Sequence, residues 1–204
     1  MKQSEFLKQA LLALDSHTVY GSGAFGASIG DFPKQLTRYY ANTLARCGQK
    51  EADKLKAEAQ KKPCWAFDCC GLVKAILWGW NAVQNDIYGG ATYKSNGVPD
   101  KGAGTSGLIS FCTDVTDNFN KILPGELLWI DGHVGIYAGD GYAIECTTAW
   151  SGDVQKTVVT NIKSATGGMH GRKWTKHGKL PWVEYNEAKL SIVCPCCGAR
   201  FVQE

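Results

Sequence analysis

The sequence predicts an α+β fold, N-terminal helices packed on a small antiparallel sheet, and two observations carry that reading. Apolar residues recur at helical spacing near the N-terminus, as in Phe6, Ala10, Leu11 and Leu14. After Pro124 the texture changes to short β-branched and aromatic runs separated by Gly and Asp. A chain of 204 residues is long enough for one such domain with its own core and a short appendage.

Taken in order, Ser4 is placed to cap the first helix. The glycine-rich segment 20–30 reads as loop. A second helix starts after Pro33, with Leu36, Tyr39, Tyr40 and Leu44 on one face. Residues 49–62 are charged and poor in large apolar groups, which suits a solvated helix. Pro63 stops it, and a compact helix follows over 68–80. The glycines through 81–123 indicate long surface loops with brief helices, a length often tied to function. Strands are expected at 126–130, 133–138, 142–148 and 154–162. Residues 186–204 form a tail with its own cysteine cluster.

The balance of 22 basic against 19 acidic side chains leaves +3 with no basic block, which argues against a nucleic-acid partner. The longest apolar stretch, 71–80, contains Lys74 and falls short of the roughly 20 residues of a membrane span, so no membrane insertion is expected. Glu5 and Lys8 interrupt the apolar run of roughly 7–15 residues that an export signal requires. The chain is therefore expected to fold in a reducing cytosol. Nine cysteines, an odd count, cannot form a closed disulfide set, so their thiols should be free.

Phe67-Asp68-Cys69-Cys70-Gly71-Leu72-Val73 carries the most chemistry. Asp68 is a good N-cap, so Cys69 falls in the first helical turn, where unpaired backbone N–H groups and the helix dipole favour a thiolate. The same N–H groups suit an oxyanion forming beside the sulfur. The plainer alternative is a small buried apolar residue, the commoner fate of a free cysteine. Cys70 points roughly 100° around the helix and reads as packing.

A nucleophilic cysteine needs a base. Of four histidines, His17 lies near a helix end, and His170 and His177 fall in a basic, glycine-containing segment that reads as surface or loop. His133 opens the run Gly132-His133-Val134-Gly135-Ile136-Tyr137, where flanking glycines leave room at the ring; a structural strand histidine is the alternative. Glu145 is the candidate orienting carboxylate, against a solvent-facing glutamate. The hairpin at Gly139-Asp140-Gly141 decides between them. A two-residue turn pairing 139 with 142 puts His133 and Glu145 on opposite faces, whereas a three-residue loop pairing 138 with 142 puts them on one face as diagonal neighbours.

Asp68-Cys69-Cys70-Gly71-Leu72-Val73, Pro124-Gly125-Glu126-Leu127-Leu128 and the His133 strand together resemble the NlpC family of cell-wall cysteine peptidases. Ile76-Leu77-Trp78-Gly79-Trp80, Ser95-Asn96-Gly97-Val98-Pro99-Asp100 and Trp174-Thr175-Lys176-His177-Gly178-Lys179-Leu180-Pro181 look closer still to a branch found in phage and prophage endolysins of Gram-positive bacteria. The resemblance implies a papain-like fold over 1–185 and hydrolysis of an amide bond in peptidoglycan stem peptides. By that likeness Cys69 is the nucleophile, His133 the base and Glu145 the third residue, with Tyr20, Asp68 and Trp129 at the oxyanion and substrate side. The chain departs from the family pattern in having Cys70 for a serine, Glu145 for a common histidine, and a longer segment between Tyr20 and Cys69. No cofactor is implied for catalysis. An acyltransferase on the same fold, or an inactive wall-binding or phage structural module, are the alternatives.

Trp65, Trp78, Trp80, Trp129 and Trp150 either line a groove for a glycan-peptide or fill the core. In the tail, Cys194-Pro195-Cys196-Cys197-Gly198 resembles half of a zinc knuckle, with Cys194 and Cys197 as ligands of a structural zinc or of a dimer made through the cluster. A frayed tail with free thiols is the alternative. A wall hydrolase without an export signal suits an enzyme held in the cytoplasm until release onto the cell wall.

Overall fold

The helix that begins at Cys69 is apolar on nearly every face, and such a helix is stable only when surrounded. The computed structural model describes residues 1–100, 104–185, 191–193 and 200–202. In chain order it runs α1 (Gln3–Asp15), β1 (Thr18–Tyr20), β2 (Phe25–Ser28), α2 (Pro33–Cys47), α3 (Gln49–Glu58), β3 (Trp65–Phe67), α4 (Cys69–Leu77), α5 (Thr105–Phe111) and β4 (Thr113–Thr116). Then follow β5 (Leu127–Ile130), β6 (His133–Gly139), β7 (Tyr142–Cys146), β8 (Val154–Val159), β9 (Gly171–Arg172), β10 (Lys176–Lys179), and a tail hairpin of β11 (Ser191–Val193) and β12 (Arg200–Val202). The architecture is α+β. Among the described residues no helix is long and apolar enough to cross a membrane.

One sheet of seven strands has the order β4-β10-β5-β6-β7-β8-β9, antiparallel except for the β8–β9 pair. A second sheet, β1-β3-β2, lies in the N-terminal part and leads directly into α4. Cys70, Leu72, Val73, Ala75, Ile76 and Leu77 of α4 are buried against Phe6 and Ala10 of α1 and against Leu127, Val134, Ile136 and Ile144 of the large sheet. Each such aliphatic side chain contributes about 2 kcal/mol on burial. The other face of that sheet carries its own cluster, with Leu128, Tyr137, Val159 and Trp174.

Several expectations are corrected. Ser4 lies inside α1, whose N-cap is Lys2, and makes no cap there. Leu11 and Leu44 are exposed, and Ala13 and Thr43 take the buried positions instead. The 20–30 segment is not simply loop, because it holds β2. Gly26 in that strand has φ +82° and lies under the Trp80 indole, where a Cβ would come within 2.3 Å of the ring. A strand that accepts a tryptophan in place of its own side chain has no alternation to read. Trp65, Trp78, Trp80 and Trp174 fill the core, whereas Trp150 is exposed.

The β6–β7 hairpin combines the two geometries expected as alternatives. Asp140 and Gly141, both with positive φ, make a tight turn that pairs Gly139 with Tyr142. A bulge follows at once, so that Tyr137 faces Ala143 and Ile136 faces Ile144. The extra residue restores the register that puts His133, Gly135 and Glu145 on one face.

Candidate active site

Three segments converge at the start of α4. Asp68 caps the helix by accepting the Gly71 N–H at 2.6 Å on Oδ1, and it accepts the Gly23 N–H at 2.7 Å on Oδ2. The loop after β1 is thereby tied to the helix end. Gly71 is required by that close approach, since a Cβ there would stand 1.8 Å from the Ala24 carbonyl oxygen. Burial, reinforced by the neighbouring Cys69 charge, raises the Asp68 carboxyl to about 6.

Cys69 is the first residue of α4, and its N–H belongs to the turn that has no intrahelical acceptor. The Cys70 thiol lies 4.0 Å from its sulfur, so Cys70 touches the Cys69 side chain as well as packing. The Cys70 S–H, the His133 ring with its charge, and the Val134 N–H hold Cys69 well below the ordinary thiol value, against the burial that opposes this. Cys70 itself is pushed up and stays a neutral donor.

His133 Nε2 meets Glu145 Oε2 at 2.6 Å, which leaves Nδ1 as the nitrogen available to the thiol. Burial lowers the imidazole's proton affinity, but its contacts with Cys69 and Glu145 outweigh this and raise it above the ordinary histidine value. Glu145 is fully buried. Burial pushes its carboxyl up, and the hydrogen bonds from His133 and Thr157 with the Arg172 charge pull it lower, leaving a net depression. Thr157 Oγ1 donates to Oε1 at 2.6 Å, and Arg172 Nε donates to Oε2 at 2.8 Å. The Trp174 ring stacks on His133 with centroids 5.6 Å apart. Gly135 makes this possible, because a Cβ there would lie 2.9 Å from that indole.

Tyr20 ends β1 beside this cluster, and the charges of Asp68 and Cys69, added to burial, raise its hydroxyl. Trp129 lies one strand over, paired with Val134, half-buried, with Lys176 Nζ 5.6 Å from its ring centre. A cavity of about 440 Å³ opens beside Asp68, walled by Phe25, Tyr88, Tyr93, Arg38 and the Lys74–Asp100 pair, which is 2.9 Å apart. Phe25 and Tyr88 stack at 4.4 Å.

The structure therefore brings Cys69, His133, Glu145, Asp68 and Tyr20 together. Sequence reasoning missed Arg172, Thr157 and Trp174, and it misread His177. That residue is not at the surface: it is buried on β10, bonded to Glu126 and to the Asn118 carbonyl. Arg172 lies in a segment read as surface, and only the pairing of β9 with β8 carries it to Glu145. Cys47, Cys64, Cys69, Cys70, Cys112 and Cys146 are free thiols. Cys194 and Cys197 lie outside the described residues, and among the described residues no group of three or more His, Cys, Asp or Glu is placed to hold a metal. No family model matches the chain, and no curated protein matches it.

Proposed function

We propose that the protein is a cysteine peptidase of NlpC type, with a papain-like fold, that hydrolyses an amide bond in peptidoglycan stem peptides. The observation that carries this reading is the contact chain from the Cys69 thiol through His133 to buried Glu145, set at a helix N-terminus. A low thiol value beside a protonatable imidazole supports a preformed thiolate–imidazolium pair. The thiolate attacks the amide carbonyl, and the Cys69 N–H receives the oxyanion. His133 gives its proton to the leaving amine as the C–N bond breaks, which leaves a thioester on Cys69. Water, deprotonated by His133, then releases the acyl group as a carboxylic acid. Tyr20 lies on the oxyanion side, and the aromatic and charged walls of the 440 Å³ cavity suit a peptide that carries both methyl and carboxylate groups.

The stem peptide as substrate rests on the motif resemblance, as does retention in the cytoplasm until release onto the wall. The test is mass spectrometry of fragments released from purified cell walls. A new amine and a new carboxyl at one stem-peptide amide are expected. Fragments cut only within the glycan, or none, would contradict the proposal.

A further inference from the structure

A fully buried carboxylate facing only a neutral imidazole would carry uncompensated charge. Glu145 does not, because its Oε2 accepts from both His133 Nε2 at 2.6 Å and Arg172 Nε at 2.8 Å, while Thr157 satisfies Oε1. The oxygen that orients the imidazole is thus shared with a permanent cation. Arg172 is itself held. Its guanidinium carbon lies 4.9 Å from the Trp150 ring centre and 5.7 Å from that of Trp174, and Trp174 stacks on His133. Trp150 has φ +58°, which bulky residues rarely adopt, and His170 stacks on it at 4.8 Å with the rings nearly parallel. Strain of this kind persists where the surroundings over-determine it and gathers at functional sites.

We infer that Arg172, clamped by Trp150 and Trp174, is a positioning residue of the active site: it fixes the Glu145 carboxylate and shares its charge, so that His133 is oriented without being bound too tightly to its proton. The kinetic consequence rests on the peptidase reading above, whereas the placement and the thiol chemistry do not. Ionisable groups that face Cys69 and Glu145 include Asp68 and Cys70 at the start of α4, Tyr20 on β1 and Cys146 next to Glu145 on β7.

Iodoacetate alkylation of Cys69 across pH, followed by peptide mass spectrometry, reads the imidazolium, because an anionic reagent reacts fastest with a thiolate beside a protonated ring. The wild-type profile is bell-shaped. In Arg172→Gln the whole Glu145 charge falls on His133, so the alkaline limb moves up by about one pH unit. Wall hydrolysis then loses kcat with little change in KM. Arg172→Lys restores the limb, but kcat stays low, because an ammonium lacks the planar donor geometry. An unmoved limb in folded Arg172→Gln overturns the inference even if the melting temperature falls, since Arg172 would then serve only the fold. If Arg172→Gln does not fold, Arg172→Lys decides, and wild-type kcat in that variant overturns the inference. A limb that moves in a protein releasing nothing from walls upholds Arg172 and sinks the peptidase reading. Hydrolysis with an unmoved limb does the reverse.

Discussion

His133 with Glu145 and His177 with Glu126 are the same chemical pair twice, an imidazole bonded to a buried carboxylate on one seven-stranded sheet. What differs is the second ring nitrogen. In His177 it donates to the Asn118 carbonyl at 3.0 Å, so both nitrogens face acceptors, which favours the protonated ring. Phe119 packs on that ring at 4.9 Å. His133 instead interacts with the Cys69 sulfur, a group that can share its proton with the ring. A buried histidine–carboxylate pair is therefore no mark of catalysis by itself. The neighbour at the free nitrogen decides whether the pair moves a proton or closes a hydrogen-bond network.

The largest effect is expected at the sulfur. Cys69→Ala should lower wall hydrolysis by at least about 10⁴-fold with the fold intact, read by amine release and by thermal melting. Next is the orienting carboxylate. Glu145→Gln should cost about 10³-fold or more in kcat, because an amide neither fixes the same tautomer nor stabilises an imidazolium. Retention of wild-type kcat would remove Glu145 from the site.

His177→Gln sharpens the contrast from the other side. It should leave kcat within a few-fold and destabilise by about 2–4 kcal/mol near pH 6. The sign follows from the raised proton affinity of folded His177, where its contacts with Glu126 and Asn118 overcome burial. Its stabilisation is full below the unfolded value of about 6.5 and is lost as pH rises through the higher folded value. The gap between wild type and variant in denaturant melts should therefore narrow from pH 6 to pH 9. A loss of activity as large as that of Glu145→Gln would erase the distinction between the two pairs. The smallest loss of stability is expected at Gly135→Ala, whose methyl would meet Trp174 at 2.9 Å and Glu145 Cβ at 3.4 Å. Displacing that indole should cost about 1–2 kcal/mol of stability and lower kcat about tenfold.

Cys69 was legible because its chemistry is local: Asp68 as N-cap announces the helix start within a few residues. The strands 127–130, 133–139, 142–146 and 154–159 were legible from their β-branched and aromatic runs. The face shared by His133 and Glu145 was narrowed to a hairpin question but not answered, because one bulged residue sets it and no side-chain pattern marks that residue. Arg172, Trp174 and His177 were not legible as site or core residues. Arg172 and His177 acquire their partners by strand pairing across the sheet, and Trp174, in the connection between β9 and β10, is held by the Asn161 side chain; all three come from a segment whose basic and glycine-containing composition looks like surface. The zinc and dimer expectation for Cys194 and Cys197 lies outside the described residues.

In the proposed reaction Cys69 carries the acyl group as a thioester. Acid-quenched incubations of wild type and Cys69→Ala with purified peptidoglycan fragments, followed by intact-mass and peptide analysis, test it directly. A stem-peptide mass on the Cys69 peptide of the wild type together with released amines is expected, and neither in the variant. Amine release by Cys69→Ala at the wild-type rate would contradict it.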